Sequence, residues 1–80
     1  MRAKFRLDSV TPLEFTPPSE DLVFTAVTEA AFDQDGNSED NDFSKWTPTG
    51  VLTMRVTNPA LLGTFKPGTK YYLDFTEAQA

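Results

Sequence analysis

The chain has no cysteine and no histidine among its 80 residues. Without cysteine there can be neither disulfides nor thiolate metal sites, and the redox compartment leaves no mark. Without histidine, the commonest general base and the commonest zinc ligand are both missing. Basic residues are few: seven lysines and arginines face twelve carboxylates, for a net charge of −5. That balance opposes nucleic acid as a default partner, because such binding rests on neutralised phosphates. Its ordinary reading is solubility. The opening MRAKFRLDSV carries charge but no apolar run of signal-peptide length, and it lacks the glycine pattern that myristoylation needs. No segment reaches the roughly eighteen apolar residues of a spanning helix. The expectation is a soluble protein, kept in the cytoplasm.

What is present fits one small β domain spanning 1–80. A chain this short buries only roughly 60% of the surface its unfolded form exposes. Small domains often add a disulfide, a metal or a partner subunit. Here the expected supplement is oligomerisation or docking onto a larger protein. AKFRLDSV alternates with period two, with Ala3, Phe5 and Leu7 on one side and Lys4, Arg6 and Asp8 on the other. Pro12 is expected to bend the chain before a short extended piece around Leu13 to Phe15. DLVFTAVTEAAF, residues 21–32, is the second strand candidate, apolar on both faces, and its TEAAF end could instead turn helical. VLTMRVTN, residues 51–58, places Leu52, Met54 and Val56 inward and Thr53, Arg55 and Thr57 outward. NPALLG reads as one short helical turn near residues 59–63, capped by Asn58, opened by Pro59 and stopped by Gly63. Pro67 and Gly68 suit the centre of a type II turn. In YYLDF, Tyr71, Leu73 and Phe75 face one way and Tyr72 and Asp74 the other; residues 76–80 form a fraying tail. The fold class is all-β: a small antiparallel barrel or sandwich of four to five strands, compatible with an OB-like barrel.

From Asp8 to Asp42 there is no lysine or arginine, while ten carboxylates accumulate. Their densest part, DQDGNSEDND at residues 33–42, invites comparison with a calcium loop. Counted from Asp33, Asp35, Asn37 and Glu39 fall at ligand positions, but glycine stands at position 4 rather than 6 and Ser44 at the closing position. The expectation is therefore a solvated, mobile acidic loop, with Asp33, Asp35, Asn37 and Glu39 the ligands of any calcium site. No other metal and no cofactor is implied. No nucleophile elbow, phosphate loop or dinucleotide fingerprint exists, and so small a chain has little room for a deep pocket. The expectation is a protein without enzymatic activity. Arg2, Lys4, Arg6 and Arg55 could line one sheet face, as in small barrels that bind single-stranded nucleic acid, with Tyr72 or Trp46 available to stack. Trp46 is the residue type of an interface hot spot, or of a plug at a barrel end. With the two-faced strand around Val23 and Val27, and with Phe43 and Tyr72, it points toward contact with another protein.

DNDFSKWTPTGVLTMRVTNPALLGTFKPGTKYYLDFTEA resembles a group of small, uncharacterised proteins encoded by tailed bacteriophages. The shared features are a basic alternating first strand, the acidic loop, a TPxG turn, an NPA turn and a PGxxYYLDF ending. Asn41, Phe43, Thr47, Pro48, Asn58, Pro59, Pro67 and Gly68 carry the resemblance. Most read as turn and packing residues rather than a catalytic set. The resemblance implies a phage source, found in the virion or in the host cytoplasm during infection. Under it the expected role is a virion accessory protein, a capsid decoration or tail-associated component, bound to a phage structural protein or to further copies of itself. The alternatives are an early intracellular protein that inhibits a host factor by acidic mimicry, and a single-strand-binding barrel.

Overall fold

In the computed structural model, which describes residues 1–28 and 31–79, the chain is all-β. Four strands, β1 (Arg2–Leu13), β2 (Ser19–Ala26), β3 (Val51–Val56) and β4 (Lys70–Asp74), form one antiparallel sheet in the order β3-β2-β1-β4. The two edge strands do not pair with each other, so the sheet is open. No helix of the described residues is long and apolar enough to cross a membrane.

Alternation sets the two faces. Ala3, Phe5 and Leu7 of β1, Leu22 and Phe24 of β2, and Val56 of β3 are buried together. Over this small core lie Phe43, Leu62 and Phe65 from the loops, in place of a second sheet. The shortest dimension of the molecule, 17 Å, reflects one sheet under a single layer of loops. Glu20 holds that layer down, its Oε1 accepting from the Gly63 N–H at 3.0 Å.

A bulge at Asp8 resets the phase of β1: Leu7 pairs with Phe24, but Ser9 pairs with Val23. Val10, opposite Leu22, therefore returns to the core side. The strand then runs through Pro12 to Leu13 instead of bending at the proline. The Val27 N–H donates to the Lys4 oxygen, so odd-numbered residues of β2 bond to β1 and even-numbered ones face β3. Pro12 lies opposite Glu20, at a position that bonds to no neighbour, so its missing N–H costs no ladder bond.

Strand β2 is shorter than its sequence suggests. It was expected over 21–32 and ends at Ala26; Ala31 and Phe32 lie outside any strand, and Glu29 and Ala30 lie outside the described residues. On β3, Met54 shares the inward face with Leu52 and Val56 but stays 47% exposed, because β3 is an edge. Phe75 falls one residue past the end of β4 and is also largely exposed. The stretch after Asn58 forms successive hydrogen-bonded turns (Leu61 N–H to Asn58 O, Thr64 N–H to Leu61 O), with the Asn58 side chain accepting from the Ala60 N–H. Lys66 to Thr69 makes the expected tight turn, Gly68 at φ 88° and the Thr69 N–H bonded to the Lys66 oxygen.

Candidate interaction surface

Among the described residues, no layer of loops like the one over the core covers the second face of the sheet. Its strand positions alternate out of phase with the core, which places Arg2, Lys4, Arg6, Asp21, Val23, Thr25, Thr53, Arg55, Tyr72 and Asp74 there. Each of the four basic residues proposed as nucleic-acid contacts meets a carboxylate. Arg2 binds Asp74 through two bonds, of 2.7 and 3.2 Å, and Arg55 binds Asp21 likewise at 2.7 and 3.1 Å. Arg6 donates to Asp8 at 2.9 Å, while the Thr25 hydroxyl donates to the other oxygen of Asp8 at 2.6 Å. Lys4 Nζ lies 3.4 Å from Asp40. The Arg2 guanidinium also sits 4.7 Å over the Tyr72 ring.

Three of these contacts depress the acids concerned. The Asp74 carboxyl is held below its ordinary value by Arg2, that of Asp21 by Arg55, and that of Asp8 by the Thr25 hydroxyl and then Arg6. Exposed pairs of this kind add little stability. Their effect here is on charge: a phosphate would have to displace a carboxylate already in place at each of these four positions.

The acidic stretch divides in two, an exposed part and a part held against the sheet. Residues 33–37 close on themselves. Asp33 Oδ1 accepts from the N–H groups of Asp35 and Asn37, both at 2.9 Å, and the Asp33 N–H donates to the Asn37 oxygen. The backbone bond from Asn37 is the chief cause that lowers the Asp33 pKa. Among the described residues, no group of three or more carboxylates is placed to hold a metal ion. Asp33, Asp35, Asn37 and Glu39, named for calcium, are all exposed.

Residues 38–42 are anchored on the sheet. Asn41 is 1% exposed and sits where β2 has left β1. Its Oδ1 accepts from the Lys4 N–H at 2.8 Å, and its Nδ2 donates to the Val27 carbonyl at 2.6 Å and the Thr28 hydroxyl at 2.8 Å. Asp42 continues the cover: its N–H donates to the Arg2 oxygen and its carboxylate accepts from the Arg2 N–H. The stretch thus takes the place of the missing end of β2. An asparagine suits the task because one amide offers both donors and acceptors.

The loop 31–50 also presents Trp46. Its φ is 59°, a left-handed conformation costing on the order of 1–3 kcal/mol in a bulky residue. The Trp46 N–H donates to the Gly36 oxygen at 2.8 Å, and Phe32 lies 5.6 Å from the indole, ring to ring. Gly36, at φ 82°, has the indole so close that an added Cβ would stand 2.5 Å from Cε2. Only glycine meets both conditions. Trp46 is left 52% exposed on this support.

The residues expected at an interface fall in three places. Tyr72, 52% exposed, and the half-buried Val23 and Val27 belong to the uncovered side of the sheet. Trp46 stands on its own loop. Phe43 packs against the core. Asn41 as an anchor and the Gly36–Trp46 contact escape a reading of spacing, since both depend on segments meeting across the chain. No family model matches this chain, no curated protein matches it, and no solved structure matches it.

Proposed function

We propose that this protein is a non-enzymatic phage protein that works by binding other proteins, as a virion accessory component on the capsid or tail. The observation that carries the binding role is Trp46, a large aromatic kept half exposed on a strained backbone by Gly36 and Phe32. Strain of this kind persists only where the surroundings over-determine it, and it gathers at binding sites. Tryptophan is also among the residue types that dominate interface energetics. The phage setting comes from the resemblance of the C-terminal half to small tailed-phage proteins. The neutralised basic residues favour this reading over single-strand binding.

The test is the copy number of the protein in purified particles, by quantitative mass spectrometry against the major capsid protein. A fixed ratio that survives a salt wash is the expected result. Replacing Trp46 with glycine, which accepts the same φ without the ring, is expected to weaken binding of the purified protein to particles by more than about tenfold. Absence from clean particles would overturn the virion role and turn attention to an intracellular partner.

A further inference from the structure

A sheet that does not close has edges, and three of the four exposed edge segments here are blocked. The start of β1, past the end of β2, is plugged by Asn41 and Asp42. The far half of β1, past the end of β4, carries the Asp8 bulge and Pro12. Strand β4 has five residues and a charge at each end, Lys70 and Asp74. A bulge, a proline, charge and brevity are the devices by which natural sheets avoid pairing with another chain.

Strand β3, six residues long, has neither a bulge nor a proline and carries one charge. That charge, Arg55, is already bound by Asp21. The Ala26 N–H donates to the Gly50 oxygen, which makes that pair a hydrogen-bonded one. With the observed register, Leu52, Met54 and Val56 then bond to β2, and the backbone groups of Val51, Thr53 and Arg55 point away from it. Val51 and Met54 are 67% and 47% exposed, on opposite faces of this strand.

We infer that β3 pairs with β3 of a second copy, antiparallel about a two-fold axis at Thr53, joining two sheets into one of eight strands. The strand is self-complementary in that register. Thr53 meets its own equivalent, and Val51 meets Arg55 of the other copy, so the two arginines never face each other. On the core face Leu52 meets Met54, so the exposed thioether gains an apolar neighbour. A shift of two residues in either direction sets Met54 against Met54 or Leu52 against Leu52 and moves Thr53 off the axis. This contact is separate from the Trp46 loop, so it stands or falls independently of the proposed function.

The absence of native cysteine makes the test direct. In an antiparallel hydrogen-bonded pair the Cα atoms are about 5.5 Å apart, within disulfide range, so Thr53→Cys should cross-link to itself under mild oxidation. Thr57→Cys is the control. In this register its two copies are eight residues out of step, about 27 Å apart at 3.4 Å per residue, and should cross-link at least tenfold more slowly. Thr53→Lys sets like charges against each other on the axis and should return the wild-type dimer to monomer in sedimentation equilibrium, with the circular dichroism spectrum unchanged. Wild type sedimenting as a monomer at all concentrations, or Thr53→Cys cross-linking no faster than Thr57→Cys, overturns the proposal. Either result would leave the particle-binding test unaffected.

Discussion

The two halves of the acidic stretch are both polar and acidic and have opposite roles. Asp33 turns its carboxylate back on the backbone two and four residues ahead, and stays in solvent. Asn41 reaches 37 residues back along the chain to Lys4 and is sealed from water. A carboxylate can serve the first place because water completes its shell. In the second, every donor and acceptor must be met by protein, and the neutral amide can both give and receive. Polar composition alone therefore says little about where a segment lies.

The difference can be broken most severely at Asn41. Asn41→Asp keeps the shape but turns a donor facing the Val27 carbonyl into a charged acceptor, and should cost about 3–5 kcal/mol at neutral pH in urea unfolding. That carboxyl would be raised in the folded state, so the loss should shrink as pH falls toward the unfolded value near 4. Asn41→Ala leaves the Lys4 N–H and the Val27 carbonyl unmet, for a loss of about 2–3 kcal/mol with no such pH dependence.

Gly36→Ala tests the self-contained half. The left-handed backbone and the collision with the indole together should cost about 1–3 kcal/mol, and tryptophan fluorescence should shift to the red as Trp46 leaves its seat. The smallest effect is expected in the wild type on acidification. Asp8, Asp21, Asp33 and Asp74 have lowered pKa values, so each adds stability above the unfolded carboxylate range that is lost as pH falls below about 4 through the folded values. Because Asp8, Asp33 and Asp74 are exposed and Asp21 is partly so, 1 M salt should flatten this decline. Asp33→Ala should leave the urea midpoint closer to wild type than any Asn41 variant.

Local patterns carried far in this molecule. The period-two runs in β1, β3 and β4 assign nearly every side chain to its face, since pleating leaves no choice once a strand is formed. Pro67-Gly68 and Asn58 make their turns through bonds that span only a few residues. The candidate surface was only partly legible. Trp46 and Tyr72 stand out as residue types, and both are half exposed. Phe43 is of the same kind, yet it packs inward against the core, a contact made across the chain.

Sequence alone determined that this chain forms strands, which residues share a face, and that an all-β fold follows, because those rules act between near neighbours. Tertiary structure decided where β2 stops, which residue of β1 bulges, and that Asn41 rather than a strand covers the edge at Lys4. Among the described residues, it also left the outer edge of β3 without a strand partner while blocking the other edges. These outcomes depend on which backbone groups still lack partners once the strands have paired. That count exists only in the folded sheet.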